Sequence, residues 1–214
     1  MGSRESFPEI MKEKGILVVL SSPSGGGKTT VCQQLLKKHR TYVRSVSATT
    51  RKRRKGERQG KDYVFLTEEE FRRKIKNKEF VEWAWVHGHR YGTLKSFVTK
   101  VKRAGKVAFF VVDVQGGMAM KRKCPRSVLI FILPPSMSEL KRRLTHRGTE
   151  KASEIKQRLE TGLREMTFWP KYDYVVINKN LSQAVRSVEK IVESERLKSS
   201  RFDYPGWRKG KRVT

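Results

Sequence analysis

The stretch Gly15–Thr30, GILVVLSSPSGGGKTT, constrains the fold more than any other part of the chain. An apolar run, Ile16–Leu20, ends in a glycine-rich turn and passes straight into residues that can start a helix. A strand that is apolar at every position is covered on both faces, as in a parallel sheet between helical layers. Glycines let backbone N–H groups turn inward, and a helix N-terminus adds its dipole, so the segment is a cradle for phosphate groups. Its candidate contacts are Ser22, Pro23, Ser24, Gly25, Gly26, Gly27, Lys28, Thr29 and Thr30. Lys28 is placed to reach β- and γ-phosphate oxygens, and the Thr29 hydroxyl to bind Mg²⁺. The usual pattern G-x-x-x-x-G-K-[ST] begins with glycine, where this chain has Ser22.

Further apolar runs at Val43–Ser47, Val107–Asp113, Val128–Leu133 and Tyr174–Asn178 alternate with helical patterns at about 28–40, 94–104, 137–147, 152–167 and 181–197. This alternation predicts an α/β fold, an open parallel sheet of five strands flanked by helices, with ligands outside the carboxyl ends of the strands. Two stretches break the rhythm. Residues 47–93 carry turn signals and a capping box, Thr67 with Glu70, and read as a small inserted lobe. Residues 143–158 are polar and rich in arginine, as suits a mobile lid. The expected plan is an N-terminal extension 1–14, a main domain 15–197 with its core in 15–46 and 94–197, and a basic tail 198–214, loosely ordered.

The 49 Lys+Arg against 21 Asp+Glu give a net charge of +28 and draw polyanions to the surface. We read this as a solvated basic surface, with no specific nucleic-acid partner. The two cysteines, Cys32 and Cys124, form no CxxC, which points to a reducing compartment, and no zinc-ligand spacing joins them to His39, His87, His89 or His146. His87-Gly88-His89 reads as a turn. The apolar runs are too short to cross a bilayer, and residues 1–14 hold no continuous apolar segment, so a cytoplasmic location is expected.

The segments SVSATTRKRRKGERQGKDYVF (Ser45–Phe65), FVEWAWVHGHRYGT (Phe80–Thr93), DVQG (Asp113–Gly116) and RLTHRGTEKASEIKQRL (Arg143–Leu159) resemble guanylate kinase in order and spacing. The resemblance spans about residues 15–197. It implies an inserted GMP-binding lobe, a helical lid and a P-loop core that binds ATP with Mg²⁺. The implied reaction passes the γ-phosphoryl group of ATP to GMP, and to dGMP, giving ADP and GDP within purine nucleotide metabolism.

On the matching positions, Arg51, Arg54, Tyr63 and Tyr91 hold the GMP phosphate, and Glu57 orders the arginines. Glu82 takes guanine N1–H and the 2-amino group, while Ser47 and Thr93 meet the base edge. The resemblance implies that Asp113 serves both GMP and the Mg²⁺ side, through metal-bound water. Arg143, Arg147 and Arg158 cover the transferring phosphoryl group, and Asn178 meets the adenine. Catalysis then rests on Lys28, Arg51, Arg54, Asp113, Arg143, Arg147 and Arg158, with Thr29 and Asp113 toward Mg²⁺. The chain departs from the family pattern at Val111 and Lys179, where acids are usual. Trp83 and Trp85 read as packing residues. The expected partners are ATP and GMP, with the chain a monomer or homodimer.

Three other readings stand beside this one: a guanylate-kinase-like binding module that has lost catalysis and grips peptides, a related P-loop kinase acting on a sugar bisphosphate, and nucleic-acid binding through the +28 surface, which is compatible with kinase activity. The first erodes the phosphate loop, whereas Lys28, Thr29 and Asp113 are all present here. The second has no use for a guanine-reading glutamate.

Overall fold

A computed structural model of the protein describes residues 12–13, 15–86, 88–145 and 152–203. In chain order its strands are β1 (Lys12–Glu13), β2 (Ile16–Ser21), β3 (Tyr42–Arg44), β4 (Ala48–Thr49), β5 (Val64–Phe65), β6 (Phe80–Val86), β7 (His89–Leu94), β8 (Val107–Val111), β9 (Val128–Leu133), β10 (Tyr174–Ile177) and β11 (Phe202–Asp203). The helices are α1 (Lys28–Lys38), α2 (Glu68–Lys76), α3 (Lys95–Arg103), α4 (Val114–Lys123), α5 (Met137–Thr145), α6 (Ala152–Met166) and α7 (Leu181–Arg196).

The five apolar runs form one sheet in the order β10-β9-β2-β8-β3, with all four pairings parallel. Alternate residues explain why both faces had to be apolar. Ile16, Val18 and Leu20 of β2 join Val31, Cys32 and Leu35 of α1 and Ala184, Val185, Val188 and Val192 of α7. Leu17 and Val19 join the other layer, with Val98 and Val101 of α3 and Val114 and Met120 of α4. Full burial of such a side chain is worth about 1.5–3 kcal/mol. Strand β2 is central, and the chain crosses from one side of it to the other between β8 and β9. The phosphate loop leaves the carboxyl end of β2 beside this reversal, where open α/β sheets place their ligands.

Helix α4 is not marked by apolar periodicity, because its first turn contains Gly116 and Gly117. Packing explains them: a Cβ on Gly117 would lie 2.5 Å from the Tyr172 hydroxyl oxygen and 3.1 Å from Ser21 Oγ. The helix is started instead by Asp113, whose carboxylate accepts the Gly116 N–H at 2.8 Å.

A second sheet of four strands, in the order β5-β4-β7-β6, occupies the stretch 48–94. Helix α2 begins with the capping box read from Thr67 and Glu70: Glu70 N–H donates to Thr67 Oγ1 at 3.1 Å, and Thr67 N–H to Glu70 Oε2 at 2.8 Å. Its Phe71 stacks on Phe80 of β6 at 4.4 Å, beside Ala48. Strands β6 and β7 form a hairpin that turns at Gly88, whose φ of +77° suits glycine.

Two expectations need correction. Trp83 and Trp85 are not packed away but 43% and 55% exposed. Being two residues apart on β6 they share one face, and Arg90 of β7 sits over both rings at 5.2 and 5.0 Å. The described part of the basic tail, residues 198–203, is not loose, and residues 204–214 lie outside the described residues. Ser199–Arg201 form a short 3₁₀ turn, β11 pairs with β1, and the buried Arg201 guanidinium donates to Glu195 Oε2 at 3.0 Å. The fold therefore reaches residue 203 and takes in Lys12–Glu13 as well. No helix among the described residues is long and apolar enough to cross a membrane, and Cys32 and Cys124 are free thiols.

Candidate active site

The phosphate loop is set by its own backbone. Gly25 and Gly27 have φ values of +85° and +99°, which side chains with a Cβ rarely adopt. A Cβ on Gly27 would also fall 2.3 Å from Asn178 Nδ2. Gly26 N–H closes a turn on the Pro23 carbonyl at 2.9 Å. The first helical bond of α1 runs from Val31 N–H to the Gly27 carbonyl, so the amides of Lys28, Thr29 and Thr30 open the helix with no intrahelical acceptor. They are donors for an anion, joined by the dipole of the helix. The Lys28 ammonium lies 3.5 Å from the Ser22 carbonyl oxygen, across the mouth of the loop.

Beside the loop is a cleft of about 350 Å³ lined by Gly25, Gly27, Thr30, Arg142, Arg143, Asn178 and Leu181. Asn178, at the end of β10, is buried and donates its amide to the Gly26 carbonyl at 3.1 Å. Its backbone carbonyl accepts Arg143 Nη2 at 2.9 Å, and Arg143 Nε donates to Glu139 at 2.8 Å. Arg142 and Arg143 together hold the Glu139 carboxyl well below its ordinary range, down to about 2. Arg158, on α6, donates to Ser24 Oγ at 3.0 Å. Two arginines read from the sequence thus meet at the phosphate loop from separate helices. Arg147 lies outside the described residues.

The second cluster stands on one face of the second sheet. Tyr91 and Thr93 alternate along β7, so both project to the same side. A bulge in β6 between Phe80 and Glu82 shifts the register so that Glu82 faces Thr93. Thr93 Oγ1 donates to Glu82 Oε1 at 2.6 Å. Burial pushes the Glu82 carboxyl up to about 7, the Asp113 carboxylate adds to the rise, and the Thr93 hydroxyl opposes it.

Arg51 donates to Glu57 Oε1 at 2.6 Å, and Arg54 N–H to Glu57 Oε2 at 2.8 Å. One carboxylate thereby holds the chain carrying both arginines, and the Arg51 guanidinium keeps it below the usual carboxylate range. The Arg51 guanidinium also sits over the Tyr63 ring at 5.3 Å, and Tyr63 and Tyr91 meet edge to face at 6.0 Å. Two phenols and a guanidinium therefore converge, with Arg54 exposed at their rim. Ser47, partly buried, precedes β4, and its carbonyl accepts the Val64 N–H at 2.9 Å.

Asp113 follows β8, one residue beyond Val112, and caps α4. Its position at the carboxyl end of the core sheet puts it between the two clusters, close enough to Glu82 to raise that carboxyl. Among the described residues no three His, Cys, Asp or Glu side chains gather to cage a metal.

Two residues in this region are not named by sequence reasoning. Glu139 could have been found, because it precedes Arg143 by one helical turn. Glu165 could not: its carboxylate accepts the Ser24 N–H at 3.0 Å from 141 residues away in the chain.

Comparison with known proteins places the chain in a lineage. A family model described as guanylate kinase matches residues 14–195. The guanylate kinase of Thermotoga maritima is 44% identical over 205 residues, covering 92% of this chain and 99% of the relative. That of Myxococcus xanthus is 45% identical and covers 88% of this chain and 91% of its own. The crystal structure of guanylate kinase from Anaplasma phagocytophilum is 34% identical with a TM-score of 0.74, over 90% of this chain and 92% of that one. With the phosphate loop, the arginine-bearing helices and the second sheet in that frame, the chain belongs to the guanylate kinase family.

Proposed function

We propose that this protein is an ATP:GMP phosphotransferase that also accepts dGMP, with the sheet of residues 48–94 as the GMP lobe and residues 143–158 as the lid. The observation that carries this reading is the pairing of Glu82 with Thr93 on the face that also bears Tyr91. A carboxylate offers two acceptors side by side, which suits guanine N1–H and the 2-amino group. The Thr93 hydroxyl and Ser47 are the partners for the rest of the base edge. Arg51, Arg54, Tyr63 and Tyr91 are the donors for the GMP phosphate, a dianion that two guanidinium forks and two phenols suit well.

On the other side the phosphate loop, from Ser22 to Thr30, takes the triphosphate, and the cleft beside Arg143 and Asn178 takes the rest of ATP. Because the Asn178 amide nitrogen already holds the Gly26 carbonyl, its remaining oxygen is the group available to an adenine amine. Arg143, Arg147 and Arg158 stabilise the charge that spreads over the oxygens of the transferring phosphoryl group. The protein supplies position and charge, with no covalent step.

The Thr29 hydroxyl and the Asp113 carboxylate are hard oxygen donors, and one Asp113 oxygen remains beyond the bond to Gly116 N–H. So sparse a set fits Mg²⁺, which keeps waters and phosphate oxygens in its shell. When bound, the ion neutralises charge on the β- and γ-phosphates. Monomer or homodimer, the chain carries each of these groups itself, and the cytoplasm is the compartment we assign to it. A coupled ADP-release assay with GMP, dGMP, AMP, UMP and CMP tests the proposal. Turnover confined to GMP and dGMP is expected, and equal turnover of AMP would overturn the guanine assignment.

A further inference from the structure

Helix α6 grips the phosphate loop along one of its faces. Arg158, Gly162 and Glu165 are four and three residues apart, so they stand in a row on one side of the helix. Arg158 donates to Ser24 Oγ at 3.0 Å, and Glu165 accepts the Ser24 N–H at 3.0 Å. Between them the helix comes close to the loop, since a Cβ on Gly162 would lie 3.5 Å from Pro23 Cβ.

The 23–24 peptide unit is thereby held at both ends. Its carbonyl, on Pro23, accepts Gly26 N–H at 2.9 Å and the Ser22 hydroxyl at 2.9 Å. Its N–H, on Ser24, is directed into the Glu165 carboxylate. Turning this planar peptide over would break the hydrogen bonds at both of its ends. Its orientation sets how the chain enters the left-handed Gly25 and hence where the amides that follow point.

We infer that Glu165 is a positioning residue of the ATP site: it locks the 23–24 peptide so that the loop stays shaped for phosphate. It has this duty because the other grip is not permanent. In the proposed reaction the Arg158 guanidinium moves to the transferring phosphoryl group, which releases Ser24 Oγ, and the bond to Glu165 is then the tie from α6 that remains on Ser24. A carboxylate is suited to the task, since a hydrogen bond from an amide to an ionised group is stronger than one to a neutral acceptor. The inference rests on the kinase reading only for the part played by Arg158. The lock itself consists of contacts within the chain.

The test uses the full-length chain and MgADP, with no acceptor present, so that the identity of the acceptor does not enter. Calorimetry on Glu165→Ala is expected to show MgADP bound about tenfold more weakly. Glu165→Gln, which keeps an oxygen for the Ser24 N–H, should recover most of that loss. The KM for GMP at saturating ATP should stay within about twofold in both variants, because the GMP groups stand on the second sheet. In nucleotide-free protein the Ser24 amide proton should move upfield in Glu165→Gln relative to wild type, and this comparison serves even where Glu165→Ala fails to fold. Unchanged MgADP affinity in folded Glu165→Ala, equal losses in the two variants, or an unmoved Ser24 amide in Glu165→Gln would each overturn the proposal. Failure of the kinase reading would look different, as wild-type protein that binds no MgADP.

Discussion

Glu82 is a carboxylate kept partly out of water and given one hydroxyl donor, and its behaviour with pH follows from that. Its ordinary value of 4.5 is raised to about 7, chiefly by burial. The folded state therefore binds this proton more tightly than the unfolded one. The stabilisation this brings is complete below 4.5 and is lost as pH rises through about 7. On the proposed reading guanine needs the ionised form, so kcat/KM for GMP should fall as pH drops below about 7, while the KM for ATP moves little. The GMP phosphate titrates near pH 6 on its own, so the reference is the profile of Glu82→Gln, which should lack the limb due to Glu82. An identical limb in that variant would assign the titration to another group.

The same substitution tests base reading. An amide keeps the shape but turns one acceptor into a donor, which loses a charged hydrogen bond and sets two donors against each other. The cost should be on the order of 2–4 kcal/mol, roughly thirty- to a thousand-fold in kcat/KM for GMP. AMP should gain relative to GMP, and an unchanged GMP:AMP ratio at saturating ATP would show that Glu82 does not read the base.

At the scale of elements, α1 matters for its first turn more than for its length. Val31, Cys32 and Leu35 fix the helix on the sheet, while Lys28 stands on the side of the loop, away from that core. Lys28→Ala should then abolish turnover and leave thermal unfolding near that of wild type. Normal GDP formation by the purified variant would remove the phosphate-cradle argument. Helix α5 shows what local spacing can reveal: Glu139, Arg142 and Arg143 are three and four residues apart, and all are joined in the folded helix. The link between Glu165 and Ser24 has no such signal, because α6 and the phosphate loop meet only in the folded core. The bulge that sets Glu82 against Thr93 was equally hidden, since a strand pattern does not state its register.

Across the whole molecule, the proposed GMP lobe and the proposed lid carry different parts of the proposed site, so on this reading the reaction requires them to close on both nucleotides and exclude water. Structures with and without GMP should differ in the orientation of residues 47–93 relative to the core, and superposition of that segment would count against closure. Lys12–Glu13 and residues 195–203 carry stability instead. The Glu195 carboxylate is buried, and Tyr174, Lys198 and Arg201 all donate to it. Truncation after Lys198 removes Arg201 and the pairing of β11 with β1. The loss should be roughly 1–3 kcal/mol, a fall in Tm of about 2–12 °C for a chain of this size. Activity at 25 °C should stay within a few-fold. A truncated enzyme that stays folded but loses most of its kcat would place the tail in the active site.

The sequence by itself determined what depends on neighbours along the chain. Ile16–Leu20 had to be a strand covered on both faces, Gly25 to Thr29 had to turn around phosphate, and Thr67 with Glu70 had to start a helix. These are local choices of dihedral angle and burial, and a window of a few residues holds them. Only the tertiary structure decided what meets across the chain. It set Glu165 against Ser24, aligned Glu82 with Thr93 through a bulge, turned Trp83 and Trp85 outward over Arg90, and docked Arg201 on Glu195. Those contacts join residues on separate turns and strands. Their partners are chosen by the packing of whole helices and the register of whole strands, a collective outcome that residue spacing does not encode.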